Sequence, residues 1–60
     1  QYGLTGREID VLKLLAKGRS KIYIAETLYI SENTVRGHSR RLYTKLGVHT
    51  RDELQAMLGI

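Results

Sequence analysis

Apolar residues recur along this chain at three- and four-residue steps, and each run begins just after a Ser or Thr. Thr5 and Glu8 have the spacing of a capping box, in which the Thr5 hydroxyl accepts the Glu8 N–H and the Glu8 carboxylate reaches back. Val11, Leu12 and Leu15 continue that face, and Gly18, after Lys17, suits the left-handed residue that closes a helix. Ser20 opens a second, shorter run holding Ile24, Ala25 and Leu28, and Tyr29 and Ile30 form a turn. Ser31 caps the third and longest run, which continues to Leu46 and stops at Gly47. Thr50 and Glu53 repeat the capping-box spacing ahead of Leu54, Met57 and Leu58. No segment alternates at period two. The pattern predicts an all-α fold, a single domain over 1–60 with helices at about 5–17, 20–28, 31–46 and 50–58.

A short helix, a tight turn and a longer helix is the helix-turn-helix arrangement, although a plain helical bundle would carry the same caps and stripes. The third helix separates the two. At about 100° per residue, Val35, His38, Leu42 and Leu46 form one stripe expected to face the core. Asn33, Arg36, Gly37, Arg40 and Thr44 lie on the opposite side, with Thr34, Arg41 and Lys45 on a flank. After Glu32 this helix carries Arg36, Arg40, Arg41 and Lys45 and no acidic residue, so its positive charge has no partner within the helix.

Composition narrows the chemistry. Sixty residues make one small domain, and its aromatic content is four tyrosines without Phe or Trp, so the core must be Leu, Ile, Val and Ala. The formal charge of +4 favours a polyanionic partner. The chain has no cysteine, which excludes disulfides and thiolate metal sites, and two histidines without a third ligand make a poor zinc site. His38 and Ser39 are helix neighbours pointing about 100° apart, so they do not form a catalytic pair, and no enzyme activity or cofactor is expected. No apolar run reaches the roughly 20 residues of a membrane span, and no leader sequence is recognised. Because the chain opens at Gln1 almost directly into a helix signal, it is expected to be part of a longer protein.

Arg36 and Arg40, one turn apart, suit bidentate pairing with guanine in the major groove, and Asn33 suits adenine or assists the cap. Gly37 would let bare backbone approach the groove, or is simply tolerated. Arg41 and Lys45, off the main face, fit phosphates. The competing reading is a basic protein-interaction module, with a solvated cationic face and no sequence-specific DNA reading. RNA is disfavoured because the long helix has no row of aromatics for stacking bases.

The strings Leu4-Thr5-Gly6-Arg7-Glu8, Ala16-Lys17-Gly18-Arg19-Ser20, Ile30-Ser31-Glu32-Asn33-Thr34-Val35-Arg36-Gly37-His38 and Lys45-Leu46-Gly47-Val48 resemble the LuxR-type (GerE-like) helix-turn-helix domain over nearly the whole chain. The resemblance implies the C-terminal effector domain of a bacterial, cytoplasmic transcription regulator that binds double-stranded operator DNA as a homodimer. An upstream sensor domain and RNA polymerase are the further partners it suggests. It implies base contacts at Arg36, Gly37 and Arg40, phosphate contacts at Ser31, Thr34 and Lys45, and dimer contact through the fourth helix. If Leu54 and Leu58 face the core, Asp52, Gln55, Ala56 and Gly59 are left for that contact, or form an ordinary exposed face. The chain departs from the family at Lys21-Ile22-Tyr23, where Asn-Lys-Glu is common, so a capping glutamate is lost. Phosphate contact at the start of this helix then falls to Ser20, Lys21 and the Tyr23 hydroxyl, while Ile22 and Tyr23 form a small apolar patch for another domain or a DNA backbone sugar, or are simple drift.

Overall fold

The computed structural model of the chain describes residues 3–59. It contains four helices in chain order: α1 Gly6–Ala16, α2 Lys21–Leu28, α3 Glu32–Leu46 and α4 Arg51–Met57. No strand occurs among the described residues. Each helix starts where a hydroxyl captures an otherwise orphaned N–H. Thr5, Ser20, Ser31 and Thr50 accept from Glu8, Tyr23, Thr34 and Glu53.

The α1 box is reciprocal, with Thr5 N–H donating to Glu8 Oε1 at 3.0 Å. The α4 box is only half formed, because Glu53 Oε1 accepts the His49 N–H at 2.6 Å instead of that of Thr50. Gly18 (φ 80°) closes α1 in the left-handed conformation, as its position suggests. The turn after α2 places a left-handed residue at Tyr29 (φ 59°), a conformation in which the side chain crowds the backbone. That geometry turns the chain within Tyr29, Ile30 and Ser31, so α3 starts close to the end of α2.

The core is Val11 and Leu15 from α1, Ile24 and Ala25 from α2, Val35 and Leu42 from α3, and Leu54 from α4. Each fully buried aliphatic side chain contributes about 1.5–3 kcal/mol, and Leu12, Leu28, Ile30 and Leu46 close over the rim. α3 is the central element, packing against both α1 and α2, while α4 packs against α1.

Two core expectations are corrected. The buried polar position of α3 is Ser39, and His38 is only half-buried. With α1 on one side of α3 and α2 on the other, the covered arc is centred on Val35 and Leu42 and turns toward Ser39. On α4, Leu54 is buried but Leu58 is 39% exposed, because the helix ends at Met57 and Leu58 lies beyond the packed turn.

Candidate nucleic-acid interface

α3 presents Asn33, Arg36, Arg40 and Thr44 as exposed residues, with Gly37 half-buried among them. Neither the Arg36 nor the Arg40 side chain has a hydrogen bond or ion pair among the described residues. Their guanidinium groups stand one helical turn apart with their donors unused. The Asn33 side chain takes no part in the cap, which Ser31 provides alone. The Thr44 hydroxyl turns back to donate to the Arg40 carbonyl at 2.9 Å.

Nothing inside the folded chain demands glycine at position 37. A Cβ there would meet only the Arg41 guanidinium, at 3.7 and 3.8 Å, which is ordinary contact with a movable side chain. A solvated glycine inside a helix costs about 1 kcal/mol relative to alanine.

The other flank of α3 differs from its sequence reading. Lys45 Nζ donates to Glu8 Oε1 at 2.7 Å and to the Gly3 carbonyl at 3.0 Å. Arg41 Nε lies 3.5 Å from Glu8 Oε2, and its Nη2 donates to His38 Nδ1 at 3.1 Å. The missing counter-charge of the helix is thus supplied by α1, so two of its four cations are engaged and, among the described residues, two remain free. Glu8 is 1% exposed. The Lys45 hydrogen bond, then the Thr5 N–H, lower its pKa from 4.5 to about 2; burial opposes them, and the Lys45 and Arg41 charges add.

Along the sequence Glu8 reads only as a cap. A signal was present, since Glu8 lies three and seven positions before Val11 and Leu15, on the same buried stripe. A carboxylate on an apolar stripe requires a partner from another element.

At the start of α2, Ser20, Lys21, Ile22 and Tyr23 are all exposed, and the Tyr23 ring lies under the Arg19 guanidinium at 5.1 Å. Ser31 and Thr34 share a 2.9 Å hydroxyl contact at the start of α3. On α4, Asp52, Ala56 and Gly59 are exposed, whereas Gln55 turns inward and donates to the Leu15 carbonyl at 3.4 Å. His38 and Ser39 make no bond to each other: His38 holds Arg41, and Ser39 Oγ is buried without a partner.

A short helix, a three-residue turn and a longer helix whose outer-face arginines are unpaired among the described residues define a helix-turn-helix DNA-binding domain. The chain belongs to the luxR family of bacterial regulatory proteins, whose family pattern matches residues 2–58. It is 52% identical over 48 residues to the nitrate/nitrite response regulator protein homolog of Haemophilus influenzae, covering 80% of this chain and 23% of that protein. It is 43% identical over 51 residues to the oxygen regulatory protein NreC of Staphylococcus aureus, covering 85% of this chain and 24% of that protein. The chain therefore spans about a quarter of the length of these curated relatives. No solved structure matches it significantly. No helix among the described residues is long and apolar enough to cross a membrane.

Proposed function

We propose that this chain binds duplex DNA sequence-specifically with α3 in the major groove, serving as the output domain of a bacterial response regulator. The observation that carries this reading is the pair Arg36 and Arg40, exposed on one face of α3 and unpaired among the described residues. Planar guanidinium groups one turn apart match the O6 and N7 acceptors of neighbouring guanines. Asn33 addresses an adjacent base, and Gly37 lets the backbone approach the groove floor.

Phosphate contacts fall to the two rims of α3. One rim holds Ser20, Lys21 and the Tyr23 hydroxyl from α2. The other holds Ser31, Thr34 and Arg41, with Lys45 contributing the one ammonium proton not donated to Glu8 and Gly3. Charge already bound to Glu8 is less available to DNA, so Arg41 and Lys45 are the weaker phosphate ligands.

The name of the Haemophilus relative, a response regulator, and the 23% of its length matched here support an input domain on the remainder of the regulator. Dimerisation uses the outer side of α4, where Asp52, Ala56 and Gly59 are exposed beside Met57 and Leu58, with Gln55 at the edge. Such a cytoplasmic dimer reads half-sites about 10 base pairs apart, or a multiple of that, and works beside RNA polymerase.

Selection from a random duplex pool, followed by gel-shift titration of the enriched site against scrambled and single-stranded competitors, tests the reading. The expected result is enrichment of a guanine-containing motif and preference for it over both competitors. Equal affinity for all three would leave a basic interaction module instead.

A further inference from the structure

A cleft of about 580 Å³ opens beside α3, between the first turns of α2 and α4. Lys21 contributes to its wall from α2, Arg36 and Arg40 from α3, and Arg51 from α4. Among the described residues no carboxylate lines it, so four cationic residues share the wall of one concavity with no counter-charge there. The Arg51 guanidinium is braced by a 2.8 Å hydrogen bond from its Nη2 to the Arg19 carbonyl, and its other donors have no partner among the described residues.

Two hydroxyls share the cleft. Thr50 Oγ1 accepts the Glu53 N–H and keeps its own proton to donate. Ser39 is 8% exposed, and its Oγ has no hydrogen-bond partner. A helical serine can bond the carbonyl four residues back, but Ser39 makes no such bond. A buried hydroxyl in that state needs an acceptor, and Ser39 is one of the residues lining the cleft. Every group named is a donor; the complementary ligand is acceptor-rich and negatively charged.

We infer that this cleft holds one phosphodiester group of the bound duplex, gripped by Lys21 and Arg51 and accepting from Ser39 and Thr50. The inference rests on the DNA-reading function proposed above. Arg36 and Arg40 belong both to the base-reading face and to the cleft wall, so a duplex whose bases meet them carries its backbone past the opening. A phosphate seated there fixes the register of α3 in the groove. It also gives α4 a part in DNA contact.

The test uses the unaltered chain, Ser39→Ala and Arg51→Gln, with binding to a mixed-sequence duplex measured by fluorescence anisotropy over a range of sodium chloride. Ser39→Ala is expected to weaken binding about tenfold, the loss of one hydrogen bond, with an unchanged salt slope and an undiminished melting temperature. Arg51→Gln is expected to lower the salt slope by about one. Equal affinity for Ser39→Ala and the unaltered chain, or an unchanged slope for Arg51→Gln, overturns the inference.

A second arm follows the Ser39 and Arg51 amide resonances while inorganic phosphate is titrated against chloride at matched ionic strength. Movement of both signals, together with duplex binding and the two mutant effects, supports the assignment. If both signals move but the chain binds no duplex, the cleft is a free-phosphate site, and the DNA-reading proposal fails with the inference built on it. If duplex binds tightly and neither signal moves, the cleft assignment alone falls.

Discussion

The Lys45 ammonium lies 2.7 Å from the Glu8 carboxylate, joining residues 37 positions apart and fastening the end of α3 to the first turns of α1. Glu8 also receives the Thr5 N–H, so one buried carboxylate caps a helix and fixes the tilt of its neighbour.

Acid should release this fastening. The Glu8 pKa is depressed from 4.5 to about 2 in the fold, so the unfolded chain binds its proton first as pH falls. The stability this group supplies is fully present above about pH 4.5 and is lost as pH drops toward 2. Urea midpoints followed by circular dichroism should fall across that window in the unaltered chain. Glu8→Gln should begin lower and change less. Parallel pH curves for the two would remove Glu8 as the cause.

Gly37→Ala separates a functional glycine from a tolerated one. The added Cβ meets only the Arg41 guanidinium, so the substitution should stabilise the domain by up to about 1 kcal/mol through helix propensity. If bare backbone at this position approaches the groove floor, DNA affinity should fall while the melting temperature rises. A variant both more stable and equally tight in binding would show that no close approach occurs there.

The free arginines should behave unlike the engaged ones. Arg36→Ala or Arg40→Ala should cost about 1–3 kcal/mol on the selected site and broaden base preference at one position each. Because neither side chain has a partner among the described residues, their melting temperatures should stay near that of the unaltered chain. Lys45→Ala should show the reverse balance. It should lower the melting temperature by stripping Glu8 of its nearest cation, with a loss of affinity that is similar for all duplexes. Gel shifts paired with thermal melts would check this, and an equal pattern in all three variants would erase the distinction.

Tyr29 is 94% exposed yet holds the left-handed conformation that ends α2. Its side chain contributes little packing and adds backbone crowding. Tyr29→Gly should therefore raise stability by about 0.5–1 kcal/mol, the relief of a left-handed side chain less the extra entropy of unfolded glycine. Chemical denaturation would register the gain, and a loss would mean that the tyrosine ring has a packing role.

Much of the architecture could be read along the chain because its causes are local. A hydroxyl reaching an N–H three residues ahead depends only on neighbours in sequence, which is why Thr5, Ser20, Ser31 and Thr50 marked the helix starts. The apolar stripes of Val11 with Leu15 and of Val35 with Leu42 likewise follow from helical periodicity alone. The luxR family's strings added the expected roles of Arg36, Gly37 and Arg40. Departures such as the half-formed box at Glu53 arose where a competing N–H, that of His49, lay only one residue further away in the chain.

The sequence by itself determined four capped helices and a basic third one, because hydrogen bonding and periodicity within a helix are settled over a few residues. Only the tertiary structure decided which of its cations remain free. That choice depends on which elements flank α3: α1 brings Glu8 against Arg41 and Lys45, whereas the side bordered by α2 and α4 brings Lys21 and Arg51 and, among the described residues, no carboxylate. The same asymmetry buries Ser39 in place of His38. Long-range juxtaposition selects among charges and faces that are equivalent within an isolated helix.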